Sequence, residues 1–380
     1  MGADPEGIRL MAPKFVHRVV LVRDVPLRAA ILLKQEMLAC GGEAGVAREV
    51  AALDCSCTDV LLAGTMRQFE LVLSKLEQQP YGLAELARAV RGALERVEER
   101  ARPRELICRE YRLPLGTRTY VMGILNVTPD SFSDGGRYLE PEAAVRAAHR
   151  MVEEGADIID VGAESTRPGA EPVPLEEEWA RLEPVLKRLV RELAVPISVD
   201  TYKAEIGRRA LEAGASIIND ISGLQAEPEL ARWVASAGAA VVVMHRQGDS
   251  RTMQINPRYR CLWGEILAYL QRSIEIAVEA GVERERVVVD PGIGFGKTVE
   301  HNLELLRGLR ELETLGCPIL VGPSRKSFIG KVLDLPVEER LEGTAAAVAV
   351  AIAQGADIVR VHDVKAMRRV AAMTDAIVRG

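Results

Sequence analysis

Nitrogen- and oxygen-bearing side chains recur in this sequence where short apolar runs end. The run from Tyr120 to Leu125 stops at Asn126, and a polar, glycine-ended loop follows before a helical pattern begins at Glu142. A buried strand delivers side chains to a site in this way. The full series of end residues is Asn126, Asp160, Asp200, Asn219, His245, Asp290, the group Ser324–Lys326, and Arg360 with His362. One of them could cap a following helix, but eight ends together are hard to explain as caps.

One part of this series suits a planar heterocycle. Asp200, Asn219 and Asp290 offer carboxylate and amide groups that match adjacent donors and acceptors, such as an aminopyrimidinone edge. A carboxylate can accept two parallel hydrogen bonds from a guanidine-like group. Lys326 can donate to a ring carbonyl or nitrogen. These residue types therefore predict a heterocycle-binding pocket.

The other part of the series suits an anion. Asn126, Arg360 and His362 offer hydrogen-bond donors and an oxygen that tolerates a metal ion, as a phosphate or pyrophosphate requires. The N-termini of the helices that follow the strands would add to the attraction. A local anion site is therefore predicted beside the heterocycle pocket.

A repeated pattern of helix, glycine and β-branched strand positions these residues. Glycine fits after a helix because that residue commonly adopts the left-handed conformation. A proline-containing run, Val195–Asp200, fills the one gap, and Tyr120–Leu125 completes eight strands, each followed by a helical pattern. We therefore predict an α/β fold whose catalytic domain, residues 104–380, is a (β/α)8 TIM barrel with its site at the C-terminal strand ends. The glycine-bearing starts are Gly155, Gly214, Gly238, Gly281, Gly316 and Gly355.

An open doubly wound sheet is the alternative fold. It would require a glycine-rich dinucleotide loop after the first strand, and none is present there. The only similar run, Gly292–Gly296, comes late in the chain, and a lone glycine cluster is weak evidence for nucleotide binding.

The sequence pattern of residues 1–103 predicts a separate, smaller α/β domain. Short apolar strands alternate there with amphipathic helices, and the charged, proline-containing run Val97–Arg104 marks the boundary. No catalytic constellation precedes it, so packing, dimer contacts or regulation is the expected role. Residues 105–120 are predicted to form a hairpin that leads into the barrel.

Composition narrows the class of protein. Hydrophobic content of 48% and charged content of 27% are typical of a globular chain, and the formal charge of −6 argues against a nucleic-acid surface. No apolar segment approaches the roughly 20 residues needed to cross a bilayer. Six scattered cysteines without a secretory leader indicate reduced thiols, so we expect a cytoplasmic protein.

Other catalytic patterns are weaker. Cys55 and Cys57 lack a second pair to complete a zinc site, and His245 and His362 stand on different predicted strands. No Gly-x-Ser-x-Gly elbow is present. Lys326 could instead form a Schiff base, as in barrel aldolases, although a charged binding cluster explains it equally well.

A series of motifs adds a resemblance to this interpretation. From about residue 106 to the C-terminus, the chain closely resembles the dihydropteroate synthase family, in order and without a missing motif. The matching stretches are Gly123–Gly136, Asp160–Gly169, Ile197–Lys203, Ile218–Asp220, Met244–His245, Asp290–Lys297, Ser324–Ser327 and Arg360–His362.

The resemblance implies a reaction and a homodimer. The expected reaction joins 4-aminobenzoate to 6-hydroxymethyl-7,8-dihydropterin diphosphate and releases pyrophosphate and 7,8-dihydropteroate. The implied cofactor is Mg²⁺, with Asn126 as its ligand. The competing interpretations are a methyltetrahydrofolate-dependent methyltransferase-like barrel, which has no use for a diphosphate clamp, and a catalytically silent pterin binder.

The resemblance also assigns roles residue by residue. The pterin would contact Asp200, Asn219, Asp290, Lys326, Met244 and Gly294. The diphosphate would contact Asn126, Arg360 and His362. The aminobenzoate side would be formed by Thr166, Arg167, Pro168, Phe295 and Ser327, and the catalytic group by Arg167, Lys326, Asp134 and Asp130.

Overall fold

The computed structural model describes residues 2, 4–100, 104–127, 136–164, 173–248, 252–253 and 255–379. Proximity of Cα atoms divides the chain into two compact units, Met1–Glu98 and Glu99–Gly380. Arg100 belongs to the second unit, where its guanidinium donates to the Asp357 carboxylate at 3.0 Å. No helix in the described ranges is long and apolar enough to cross a membrane.

The first unit is an antiparallel sheet packed with helices around its own core. One sheet face is covered, so Val60 and Leu62 of the central strand are buried while Leu61 between them is 46% exposed. Phe69 and Leu33 lie in the core. The α/β class predicted for this part of the chain is confirmed. Its elements are α1 (Pro5–Phe15), β1 (His17–Pro26), α2 (Leu27–Ala39), β2 (Glu43–Val46), α3 (Glu49–Ala52), β3 (Cys57–Thr65), α4 (Met66–Leu76) and α5 (Leu83–Glu99), with strand order β1-β3-β2 in the described residues.

The second unit begins with a hairpin and continues as alternating strands and helices. The hairpin is β4 (Arg104–Cys108) with β5 (Tyr111–Leu115), as predicted. The strands that follow are β6 (Tyr120–Asn126), β7 (Ile158–Gly162), β8 (Ile197–Asp200), β9 (Ile217–Asp220), β10 (Ala240–Met244), β11 (Val287–Asp290), β12 (Leu320–Val321) and β13 (Ile358–Val361). The helices are α6 (Gly136–Glu153), α7 (Leu175–Glu192), α8 (Ala204–Glu212), α9 (Leu230–Ala237), α10 (Leu262–Glu279), α11 (Val299–Arg307), α12 (Ser327–Leu333), α13 (Leu341–Ala353) and α14 (Val364–Val378).

These strands form a parallel barrel. In the described residues the order is β11-β10-β9-β8-β7-β6-β13-β12, and a parallel bridge from Val289 to Ile319 joins the two ends of the sheet. Both faces are covered, so the strands are buried almost throughout and read as continuous apolar runs. The predicted (β/α)8 barrel is confirmed. The glycines predicted to follow helices all have positive φ.

The hairpin closes one end of the barrel. Leu106, Cys108 and Leu115 pack against inward-facing strand residues such as Met122 and Ile158. In the hairpin turn, Arg109 donates to backbone carbonyls that lie between the β8 and β10 segments of the barrel, those of Leu211, Ala215 and Ala237. The N-terminal strand ends are therefore plugged, and the opposite mouth is left for a site.

Candidate active site

The predicted polar residues lie at the C-terminal strand ends. Asn126 ends β6, and Asp200 ends β8. Backbone pairing sets neighbours side by side, because Asp200 pairs with Asn219 and Met244 pairs with Asp290. The strand-end series therefore converges on one mouth, as the barrel topology requires.

Arg360 connects three of these strands. Its Nε donates to Asp160 Oδ2 at 2.6 Å, and its Nη2 donates to Asp200 Oδ2 at 2.8 Å. Asn219 Nδ2 also donates to Asp160 Oδ2, at 3.1 Å. The planar guanidinium can meet two carboxylates at once because its donors are fixed in a fork. The two groups of residues that the sequence separated by chemistry are therefore joined in one network.

Asp160 is a residue to which sequence reasoning gave no role beyond its place at a strand end. Its side chain is fully buried, and its Oδ1 has no hydrogen-bond partner in the described residues. A buried polar atom without a partner costs free energy, so Asp160 Oδ1 is a candidate acceptor for a bound ligand. The signal available in the sequence was the Asp after a buried strand that precedes a Ser-Thr-Arg-Pro-Gly run.

Burial changes the ionisation of the mouth. It raises the pKa of Asp200 to about 7, against the opposing charge of Arg360. It also raises the pKa of Asp290, where the Lys326 charge opposes it. The same desolvation lowers the pKa of Lys326 to about 8. The mouth thus holds groups that change charge near neutral pH, which is common where a protein binds or reacts.

The glycine-rich loop after β11 shapes one wall. The amide of Gly292 donates to Asp290 Oδ1 at 2.7 Å, and φ of Gly292 is 71°. A Cβ there would lie 1.9 Å from the His245 carbonyl oxygen, so glycine is required for this close approach. At Gly294, a Cβ would meet Lys326 Cδ at 2.9 Å. The glycines therefore serve packing around the site, and no nucleotide needs to be invoked.

Lys326 lies against this loop. Its ammonium donates to the carbonyl of Ile293 and lies 4.5 Å from the centroid of the Phe295 ring. The structure therefore brings together Lys326, Gly294 and Phe295, which the resemblance assigned to adjoining parts of two substrates. A cation beside an aromatic face is held by the quadrupole of the ring.

Two further predicted residues meet across β12 and β13. Ser324 Oγ lies 3.0 Å from His362 Nδ1 and also accepts from the His362 amide at 3.2 Å. Arg325 forms an ion pair with Asp363 at 2.5 Å, so this guanidinium is engaged away from the Lys326 cluster. Ser327 begins α12 and is exposed. These contacts fix the orientation of the His362 ring.

Five predicted residues lie outside the described residues: Asp130, Asp134, Thr166, Arg167 and Pro168. Lys203 links the described residues on the two sides of 165–172. Lys203 Nζ donates to Glu164 Oε2 and to the Val173 carbonyl, each at 2.6 Å, and to Glu178 Oε2 at 2.5 Å. The sequence motif included Lys203, but its partners are far apart in sequence and could not be predicted from spacing.

The described residues contain no group of three or more His, Cys, Asp or Glu arranged for a metal. Mg²⁺ does not need one, because it commonly keeps several waters and binds one or two protein oxygens together with substrate phosphates. The amide oxygen of half-buried Asn126, at the barrel mouth, is a hard donor of that kind. The donor chemistry of Asn126 therefore fits a Mg²⁺ ligand.

Comparison with known proteins decides the family. The model of the family described as "Pterin binding enzyme" matches residues 122–362. Dihydropteroate synthase of Synechocystis sp. is 52% identical over 265 residues, which are 70% of this chain and 92% of that protein. The chain belongs to the dihydropteroate synthase family. It is therefore an enzyme, a transferase of folate biosynthesis.

A solved dihydropteroate synthase and a longer relative extend the comparison. The Xanthomonas albilineans dihydropteroate synthase with 4-aminobenzoic acid has a TM-score of 0.68 and 44% identity, covering 72% of this chain and 98% of that one. A probable bifunctional folylpolyglutamate synthase/dihydropteroate synthase of Halobacterium salinarum is 45% identical over 361 residues, or 95% of this chain and 43% of that protein. That match extends across most of the first unit, whereas the Synechocystis match covers a barrel-sized part.

Proposed function

We propose that this chain joins 4-aminobenzoate to 6-hydroxymethyl-7,8-dihydropterin diphosphate, forming 7,8-dihydropteroate and pyrophosphate. The observation that carries the proposal is the buried mouth in which Arg360 binds two carboxylates beside Asn219. It combines acceptors for a guanidine-like pterin edge with cationic donors for a diphosphate. The identity to dihydropteroate synthases supports the same assignment.

The pterin is assigned to the deep part of the mouth. Asp200 and Asp290 would accept from the aminopyrimidinone edge, and Asn219 can donate and accept. Lys326 would donate to a ring carbonyl or nitrogen, as its protonated form can below a pH of about 8. Met244, which is buried, and Gly294 would form apolar and backbone walls around the ring.

The diphosphate is assigned to Arg360, His362 and Asn126. Arg360 uses Nε and Nη2 for the carboxylates, and a guanidinium carries five N–H donors, so further donors remain for an anion. Asn126 would hold Mg²⁺, which supplies positive charge to a departing pyrophosphate. Asp160 would keep Arg360 in place through the 2.6 Å hydrogen bond.

Charge stabilisation and orientation carry the chemistry. As the C–O bond breaks, Arg360 and His362 would neutralise the negative charge that develops on the leaving group. The electron-rich dihydropterin can spread the matching positive charge over its ring. The aniline nitrogen is a weak base and largely unprotonated near neutral pH, so its alignment matters more than a strong general base.

The aminobenzoate is assigned to Phe295, Ser327 and the segment with Thr166, Arg167 and Pro168. The Phe295 ring, beside Lys326, offers an aromatic surface next to the pterin pocket. Asp130, Asp134 and Arg167 are proposed to act as catalytic loop charges, with Lys326, and to exclude water that would trap the cation.

A homodimer is proposed from an apolar groove on the barrel surface. Residues of α11, α12 and α13 line it, and Val332, Leu333 and Val350 expose 54%, 45% and 43% of their area. Exposed apolar surface of this kind marks protein contacts. A Val350→Glu variant is expected to shift the mass measured by light scattering from dimer to monomer, and an unchanged mass would reject this face.

Two further assignments complete the proposal. The first unit is proposed to serve assembly or regulation as an N-terminal extension of the barrel. A cytoplasmic location is proposed because no disulfide joins any of the six cysteines, all of which lie in the described part of the chain.

The deciding assay measures pyrophosphate from the purified full chain with pterin diphosphate and Mg²⁺, with and without 4-aminobenzoate, and dihydropteroate by chromatography. Pyrophosphate release coupled to dihydropteroate is expected. Tight pterin binding without product would instead favour a methyltetrahydrofolate-dependent methyltransferase-like barrel or a silent pterin binder.

A further inference from the structure

Lys297 ends the glycine-rich loop after β11, and none of the roles proposed above uses it. Lys297 is 3% exposed, although a lysine is rarely buried so fully. Its Nζ donates to the carbonyl of Phe295 at 2.9 Å and lies 2.9 Å from Nδ1 of His245, which is 4% exposed. A buried amine is costly, so these two contacts require an explanation.

Burial disfavours the charged form of both partners in this pair. Burial lowers the pKa of Lys297 well below its ordinary value, against the charge of Asp290. Burial, and next the Lys297 charge, lowers the pKa of His245 to about 2. An uncharged His245 whose proton is on Nε2 accepts at Nδ1 from the lysine. The pair therefore acts as a fixed polar link between the loop and the end of β10.

Three successive residues of the loop are each held by a side chain. The Gly294 amide donates to Asn302 Oδ1 at 2.7 Å, and the Gly296 carbonyl accepts from the Tyr259 hydroxyl at 2.7 Å. The Phe295 carbonyl between them accepts from Lys297. Among these contacts, the one from Lys297 also reaches His245, the residue that follows β10.

The position of the Phe295 ring depends on the conformation of its backbone. Its ring lies 4.5 Å from Lys326 Nζ, and the same lysine donates to the Ile293 carbonyl, two residues before Phe295. Rotation of the Phe295 peptide would move the ring relative to Lys326. A contact that fixes the carbonyl therefore fixes the aromatic surface as well.

We propose that Lys297 is a positioning residue that anchors the Phe295 peptide to the end of β10 and thereby sets the Phe295 ring for the aromatic co-substrate. The inference rests on the proposed function, in which Phe295 contacts 4-aminobenzoate. It assigns Lys297 to the affinity for that co-substrate and not to the pterin or the diphosphate.

The test compares Lys297→Met with the wild type in the full chain. Methionine keeps the apolar stem and removes the donor. The KM for 4-aminobenzoate is expected to rise about tenfold, as for loss of one buried hydrogen bond, while the KM for pterin diphosphate stays within about twofold. Lys331→Met, at an exposed lysine of α12, is the matched control and should change neither KM.

A double-mutant cycle shows whether Lys297 acts through Phe295. Phe295→Ala is expected to raise the same KM, and Lys297→Met/Phe295→Ala should show no further rise beyond Phe295→Ala. Additive effects of the two substitutions would overturn the proposal. Equal changes in both KM values would overturn it too, since a general loss of structure does not distinguish the substrates.

Two controls separate the possible failures. A wild-type chain that forms no dihydropteroate refutes the proposed function, whereas an active wild type with an unaltered Lys297→Met variant refutes only the positioning role. If Lys297→Met shows no cooperative thermal unfolding, Lys297→Gln carries the test, because its amide keeps a polar group at this position but is too short to join the Phe295 carbonyl to His245. A KM rise confined to 4-aminobenzoate is then the supporting result, and equal rises in both KM values are the contrary one.

Discussion

Carboxylates at the two ends of the barrel are held in different ways. At the plugged end, Asp357 Oδ1 accepts from Arg104, and Oδ2 accepts from Arg100 and the Ile319 amide, at 2.9 to 3.0 Å. At the open mouth, Asp160 uses Oδ2 for Arg360 and keeps Oδ1 buried without a partner in the described residues. The Asp357 carboxylate has both oxygens hydrogen-bonded within the fold, while the Asp160 carboxylate retains acceptor capacity.

The same contrast recurs in neighbouring residues. Asp157 and Asp375, at the plugged end, each use both oxygens, for Arg118 and for the Thr119 hydroxyl and amide respectively. At the mouth, burial raises the pKa of Asp200 to about 7. The plugged end therefore stabilises the barrel, and the mouth accepts a cost that a ligand can offset.

The largest effect is expected from Asp200→Asn. Its amide oxygen can still accept from Arg360, but its NH₂ group faces the donors of the pterin edge. The kcat/KM for pterin diphosphate should fall about 10³-fold, the scale for loss of a preorganised polar group. Steady-state kinetics with saturating 4-aminobenzoate measures this loss.

Asp200→Asn should not lower the stability of the protein, although it lowers kcat/KM. Because the folded pKa of Asp200 is raised to about 7, its folded state binds more protons than the unfolded state from about pH 4 to 7, and stability falls as pH rises through that window. Asp200→Asn removes this dependence, so its unfolding midpoint at pH 7.5 should equal or exceed that of the wild type. A lower midpoint would mean that the carboxylates at the mouth stabilise the barrel as those at the plugged end do.

Asp357→Asn tests the plugged end. The substitution removes the charge that faces Arg100 and Arg104, and the free energy of unfolding should fall by about 2 kcal/mol, since hydrogen bonds to charged groups contribute about 1.5–3 kcal/mol each. Urea denaturation gives this value. Both KM values should remain within about twofold, and a KM change without lost stability would break the contrast between the ends.

The sequence predicted where this site lies better than how its residues are paired. The barrel and its strand ends follow from local patterns. Asp200 and Asp290, for example, are each the last residue of a short, mainly apolar strand of four residues. The link from Arg360 to Asp160 joins β13 to β7 across 200 residues, and no local pattern encodes it. Neither does spacing show that Asp160 Oδ1 is left without a hydrogen-bond partner among the described residues.

Lys203 and Lys297 illustrate the same limit. Each stands in a motif, but its role depends on partners that burial brings together, Glu164 and Val173 for Lys203 and His245 for Lys297. A side chain's charge state also follows from burial, which a strand-end position only suggests. Contacts of the fold, not residue type, distinguish these lysines.

Lys326, at the mouth, should make kcat/KM depend on pH. Burial lowers its pKa to about 8, so it donates as an ammonium below that pH and loses its charge above it. The kcat/KM for pterin diphosphate should fall about tenfold per pH unit beyond about pH 8. Lys326→Gln should show a lower, flat profile over the same range, and a wild-type decline retained in this variant would assign the titration to another group.

The smallest effect concerns the boundary between the two units, and it bears on the plugged end. Arg100 reaches Asp357 at 3.0 Å and Glu313 at 3.1 Å, so a fragment that begins at residue 99 keeps contacts that a fragment beginning at residue 104 loses. Both fragments are predicted to fold as barrels. The free energy of unfolding of the longer fragment, measured in urea, should be higher by about 1–2 kcal/mol because it keeps the Arg100 contacts. Turnover of the two fragments should be similar, because these contacts lie at the plugged end and not at the mouth. Equal stability would show that Arg104 alone satisfies Asp357, and failure of both fragments to fold would show that residues 1–98 are integral to the barrel.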